Sequence, residues 1–181
     1  MRILDIRRHT MRRKPEVHLS QQGIALAQLV GDASGPYSMV VTSTVPRAIE
    51  TAIAMGFAVD ETLDALGYLP DTVFAEIGWP LPFTQIAQAL VRTKIGTQFA
   101  EAQARLWRKI AERIPHDQQA LIITHGLFVE LGLLASLPAI EPANWGGPVG
   151  YCEGVRLVYE DGCQHGEMLR LPAALQLIDN S

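Results

Sequence analysis

Three short, largely apolar runs, Ile3-Leu4-Asp5-Ile6, Met39-Val40-Val41 and Ala120-Leu121-Ile122-Ile123, each give way to a polar cluster. The clusters are Arg8-His9-Thr10, Thr42-Ser43-Thr44 with Arg47 just beyond, and Thr124-His125-Gly126. Apolar runs of this kind read as strands buried on both faces, the mark of parallel pairing. Their alternation with helix-patterned segments predicts an α/β fold: a three-layer α/β/α sandwich around a mostly parallel central sheet, with right-handed crossovers. In such an open sheet the loops leaving the carboxyl ends of the strands converge, so the three polar clusters are expected to meet at one edge.

The intervening segments fit that frame. Ser20 is placed to cap a helix whose apolar stripe of Ile24, Ala25, Leu29 and Val30 stops at Gly31. Thr44 reads as the cap of a second helix, with Pro46 in its first turn and Gly56 past its end. Further helices are predicted over residues 83–91, 97–114 and 127–134, and final strands over 155–159 and 168–171, either side of Asp161-Gly162. Between 57 and 82, Gly67, Pro70, Gly78, Pro80 and Pro82 interrupt every regular pattern, so an irregular excursion is expected there, with a helical turn near 62–66, lying over the pocket. At 181 residues and 48% hydrophobic, the chain has the length of a single domain, 1–181.

Composition narrows the partners. A net charge of −4 offers no general attraction to nucleic acid. No apolar run approaches the roughly 20 residues that span a bilayer, and charges interrupt the first seven residues before a signal segment develops, so no membrane association and a cytoplasmic setting are expected. Cys152 and Cys163 have neither metal-site spacing nor disulfide density. They read as free thiols, although a hairpin turning at 160–162 would set them across from each other.

The clustered residue types carry chemistry. A neutral imidazole such as that of His9 is a competent covalent nucleophile. Guanidinium forks such as Arg8 and Arg47 bind phosphate oxygens bidentately and stabilise the charge of a transferring phosphoryl group. Arg47 falls in the first turn of its helix, where amide donors and the helix dipole also favour an anion, with the Ser43 or Thr44 hydroxyl nearby. His125 precedes a glycine that allows close backbone approach, and when protonated it can donate to a phosphoryl oxygen. In isolation each has an ordinary structural explanation; their coincidence at one sheet edge describes a phosphate pocket.

On these residues the chain resembles the histidine phosphatase superfamily, with its phosphoglycerate-mutase-like fold. The opening Arg-His-Gly motif is matched by Arg8-His9-Thr10, the Leu-Thr/Ser-x-x-Gly helix start by Leu19-Ser20-Gln21-Gln22-Gly23, the Arg-Ala-x-x-Thr-Ala segment by Arg47 to Ala52, and the second histidine by His125-Gly126. The resemblance implies a metal-independent phosphoric monoester hydrolase without cofactors, acting on a small phosphorylated substrate through a phosphohistidine on His9. Arg8, Arg47, His125 and Ser43 would bind the phosphoryl group. Mutase-type phosphoryl transfer, or a catalytically weak phosphate-binding regulatory module, is the competing reading. The family's proton donor is an acidic residue reached after the second arginine, for which Glu76 is the first choice and Asp64 the second; some small members work without one. Thr10 and Met11 depart from the usual Gly-Glu or Gly-Gln. The basic loop Arg12-Arg13-Lys14 is either solvated or embraces a second anionic group, and Tyr68, Trp79 and Phe83 either line the pocket or belong to the core.

Overall fold

The computed structural model of the chain describes residues 1–177. The three apolar runs form β1 (Arg2–Arg8), β2 (Met39–Thr42) and β4 (Gln119–Thr124). With β3 (Glu61–Thr62), β5 (Gly154–Tyr159) and β6 (Cys163–Leu169) they make a six-stranded sheet in the order β3-β2-β4-β1-β5-β6. Neighbours among β3, β2, β4 and β1 pair in parallel, while β5 and β6 add antiparallel strands beyond β1. The helices are α1 (Gln21–Asp32), α2 (Pro46–Ala54), α3 (Asp71–Ile77), α4 (Phe83–Leu90), α5 (Lys94–Arg113) and α6 (Phe128–Ser136). The mostly parallel α/β sandwich expected from the sequence is the architecture found.

Strand alternation sorts the core into two layers. Val40, Leu121 and Ile123 face α1 and α2, packing with Leu26, Ala27 and Ala52. Leu4, Ile6, Val41 and Ile122 face the opposite side, where Trp107 and Ile110 of α5 and Val129 and Leu133 of α6 cover them. Helices α5 and α6 meet closely because residue 132 is glycine: a Cβ there would stand 2.1 Å from Cη2 of Trp107. Trp107 is fully buried, and truncating such a side chain costs about 3–5 kcal/mol.

Four details differ from the sequence reading. Pro46 at the first helical position holds Val45 extended (φ −75°, ψ 130°), so Val45 rather than Thr44 occupies the cap position, and the Thr44 hydroxyl donates to Asp64 Oδ1 at 2.7 Å instead. The 57–82 stretch is more regular than expected, holding β3, a 3-10 turn at Asp64–Leu66 and α3. Thr93 caps α5 by accepting from the Gly96 amide, which starts that helix at Lys94 rather than near 97. The last strand begins at Cys163, so β6 forms a tight hairpin with β5. Cys152 and Cys163 are free thiols. Among the described residues no helix is long and apolar enough to cross a membrane.

Register brings the polar clusters together. Arg8 pairs with Thr124 across β1 and β4, and Thr42 with Ile123 across β2 and β4. The next residues continue the ladder, His9 N donating to Thr124 O at 2.8 Å and Ser43 N to Ile123 O at 3.0 Å. Three chain segments therefore leave the sheet side by side.

Candidate active site

The strand ends open into a cavity of about 370 Å³, lined by Arg8, His9, Arg47, His125 and Gly126, by Arg12 and Lys14 of the basic loop, and by the aromatic rings of Phe74, Trp79, Phe128 and Tyr151. His9 and His125 stand edge to face with centroids 5.1 Å apart.

Hydrogen bonding fixes the state of each ring. His9 Nδ1 lies 2.6 Å from the Thr10 carbonyl, which can only accept, and Arg47 Nε donates to His9 Nε2 at 3.0 Å. Guanidinium has no acceptor to offer. His9 is therefore a neutral imidazole with its hydrogen on Nδ1 and its lone pair on Nε2, facing the cavity cations. Arg47 Nη2 reaches His125 Nδ1 at 3.2 Å, which by the same logic leaves Nε2–H to donate to Ser43 Oγ at 2.8 Å. Burial, then the charges of His125, Arg8 and Arg47, holds the pKa of His9 well below its ordinary value. Burial, followed by Arg47 and Arg8, pushes His125 down to about 3.

Arg8 is held as firmly. Its guanidinium carbon lies 3.9 Å from the Tyr151 ring centroid and 4.5 Å from that of Trp79, between two aromatic faces. Its Nη1 donates to Val149 O at 3.2 Å. Trp79 and Val149 share an anchor: Trp79 Nε1 and Val149 N both donate to Glu130 Oε1, at 3.1 and 2.9 Å. Glu130 is fully buried, and desolvation raises its carboxyl pKa. Gly126 leaves room for this arrangement, since a Cβ there would meet Trp79 Cζ2 at 2.5 Å. Thr10, standing where the family motif has glycine, has its amide bound to Thr51 Oγ1 at 3.0 Å and its hydroxyl to Gly23 O at 2.9 Å, while Thr51 donates to Arg47 O at 2.6 Å. The side chain of Thr10 thus ties the His9 loop to α1, and its amide ties the loop to α2.

Of the residues singled out in the sequence, Arg8, His9, Arg47 and His125 come together. Ser43 is fully buried behind His125 as its partner, outside the cavity lining. Neither acid candidate is brought in. Glu76 is exposed on α3 and accepts from the Thr93 hydroxyl, and Asp64 is exposed and accepts from Thr44. Trp79 lines the cavity, whereas Phe83 is buried in the core and Tyr68 is 71% exposed. Tyr151 and Glu130 were not legible in the sequence, for both act through contacts across the fold and neither sits in a local motif. Among the described residues no group of three or more histidine, cysteine, aspartate or glutamate side chains is placed to hold a metal ion.

An arrangement of this kind can neutralise a tetrahedral dianion and present an imidazole lone pair to it. Comparison with known proteins agrees on the fold. A phosphoserine phosphatase from Entamoeba histolytica, solved with 3-phosphoglyceric acid, superposes with a TM-score of 0.67 at 15% identity, covering 94% of this chain and 96% of its own. A phosphoglycerate mutase from Bacillus anthracis gives 0.63 at 16%, covering 92% and 91%. A mycobacterial glucosyl-3-phosphoglycerate phosphatase gives 0.58 at 18%, covering 86% and 89%. A comparison with curated protein sequences returns no match. The family model described as histidine phosphatase superfamily, branch 1, matches residues 5–171, and the chain belongs to that superfamily.

Proposed function

We propose that this protein is a metal-independent phosphatase that hydrolyses its substrate through a phosphohistidine on His9. The observation that carries the reading is the pair of hydrogen bonds that leaves His9 neutral with its Nε2 lone pair held by Arg47. When a phosphoryl group enters, Arg47 and Arg8 turn their donors to its oxygens and release that lone pair. Nε2 attacks phosphorus, the bond to the leaving oxygen breaks, and the electron pair departs with the leaving group. The Thr10 carbonyl holds the Nδ1 hydrogen throughout and stabilises the positive charge that the ring acquires. Water then attacks the same phosphorus, the P–N electron pair returns to Nε2, and inorganic phosphate leaves. His125, once a dianion offsets the cations that depress its pKa, gains a proton and donates to a phosphoryl oxygen.

Family membership supports phosphatase or phosphoryl-transfer chemistry in general. Hydrolysis is favoured over mutase-type transfer by the openness of the strand-end cavity to the basic loop and to the exposed ring of Phe74, since retaining a phosphorylated intermediate requires water to be shut out. The reading includes a cytoplasmic setting, in keeping with the free thiols, and a single domain over residues 1–181. Hydrolysis of p-nitrophenyl phosphate by the purified protein tests it. Turnover should survive EDTA, because cationic side chains perform the charge neutralisation; loss that Mg²⁺ restores would refute the metal-independent mechanism.

A further inference from the structure

Arg7 and Arg8 are neighbours that strand alternation sends to opposite faces of the sheet. Arg8 turns into the phosphoryl cavity, whereas Arg7 turns toward α1. There it is the buried polar group of another cavity, of about 380 Å³, walled by Leu29, Val30 and Ala33 on one side and by Leu169, Leu171 and Leu175 on the other. A further apolar cavity of about 300 Å³ continues from it, sharing Leu29 and Leu175. Neither has a lining residue in common with the phosphoryl cavity. Leu29 is 53% exposed, so the groove opens to the surface along an apolar edge of α1.

The carboxylates around Arg7 are engaged by other arginines. Asp5, two residues before it on β1, accepts from Arg156 Nε at 2.7 Å and Nη2 at 2.9 Å, and from the Tyr37 hydroxyl at 2.7 Å. Glu153 accepts from Arg170 Nη1 at 2.8 Å and from the Leu171 amide at 2.9 Å. Arg7 itself donates from Nη1 to a neutral acceptor, Cys152 O, at 2.8 Å, and its Nε has no partner among the described residues. The side chain is more than nine-tenths buried. A buried cation held by one carbonyl is costly unless an anion meets it, and the planar guanidinium fork matches a carboxylate in shape as well as charge.

We propose that this groove binds a long-chain carboxylate, a fatty-acid-like anion whose head group pairs with Arg7 and whose tail lies along Leu29, Leu171 and Leu175. Apolar walls with one placed charge are the usual make-up of a small-molecule site. The two features select the ligand together. An uncharged hydrocarbon would cover Arg7 with nothing to offset its charge, and a small polar anion would leave the leucine walls in water. The elongated form of the two joined cavities suits an unbranched chain.

The test is calorimetric titration of the full chain with dodecanoate and with dodecyltrimethylammonium, which has the same tail and the opposite charge, both below their micelle-forming concentrations. Dodecanoate should bind once per chain and about tenfold or more tightly than the cation, the equivalent of one charged contact. Affinity should rise by about tenfold or more from octanoate to dodecanoate, since a groove that covers half of each added methylene is worth about twofold apiece. Arg7→Gln and Leu29→Glu should each weaken dodecanoate binding by about tenfold or more. Leu29 is an exposed helix position, so Leu29→Glu decides the matter if circular dichroism shows Arg7→Gln unfolded. Absence of saturable dodecanoate binding would overturn the site. Equal affinity for the two amphiphiles, or wild-type affinity in a folded Arg7→Gln protein, would overturn the carboxylate, and wild-type affinity in Leu29→Glu would overturn the groove. A dimer in sedimentation that Leu29→Glu dissociates, with no uptake of dodecanoate, would make a second copy of the chain the occupant instead.

Discussion

Glu130 is the buried support on which the account leans most outside the reacting groups, and its removal has a calculable effect. Its Oε1 is the shared acceptor for Trp79 Nε1–H and Val149 N–H, while Oε2 has no partner among the described residues. Glu130→Ala leaves two donors unsatisfied in a dry site, at about 1–3 kcal/mol each and so about 2–6 kcal/mol together, and the small void it opens adds to that cost. Glu130→Gln keeps the carbonyl acceptor and places an amide where the unpartnered oxygen stands, so it should cost about 1–2 kcal/mol. A total stability of about 5–15 kcal/mol makes the alanine effect large. Urea unfolding should show the alanine midpoint falling well below that of glutamine with the slope unchanged. Activity should follow, because the groups released hold the Arg8 guanidinium: KM for p-nitrophenyl phosphate should rise by about tenfold in Glu130→Ala and far less in Glu130→Gln. Equal stability of the two variants, or an alanine cost below about 1 kcal/mol, would refute the reasoning.

The pH dependence of stability carries a further expectation. With its folded-state pKa pushed down to about 3, His125 contributes stability that is complete above the unfolded value near 6.5 and is lost as pH falls toward 3, because the unfolded chain takes up the proton first. The stability gap between wild type and His125→Asn, measured by urea unfolding, should narrow by about 2 kcal/mol between pH 7 and pH 5; a constant gap would contradict the assignment. Glu76→Gln and Asp64→Asn should each leave the ratio of alkyl to aryl phosphate hydrolysis unchanged in parallel assays, since neither carboxylate lines the cavity. A selective loss on alkyl phosphate in either variant would make that residue the proton donor.

What the sequence made legible is what depends on local pattern. Parallel strands announce themselves as apolar runs, and the residues that follow them must lie at one sheet edge, so Arg8, His9, Arg47 and His125 could be placed together from their positions alone. The cap of α2 was misread because Pro46 constrains its predecessor more strongly than the Thr44 hydroxyl favours a cap. Glu76 fitted a loose local likeness, but α3 turns it toward Thr93 and away from the cavity. The contacts that hold Arg8 join residues 8, 79, 130, 149 and 151. Tertiary packing alone creates such a cluster, and no periodicity or short motif encodes it.

The most direct test of the central claim is to catch the intermediate. Protein mixed with an activated aryl phosphate and quenched within the first turnover, under alkaline conditions that preserve P–N bonds, should yield by mass spectrometry a single phosphorylated peptide carrying the group on His9. His9→Ala should give neither the modified peptide nor turnover while retaining the wild-type fold. A phosphoryl group on His125 or elsewhere, or a His9→Ala protein that hydrolyses the ester at the wild-type rate, would contradict the account.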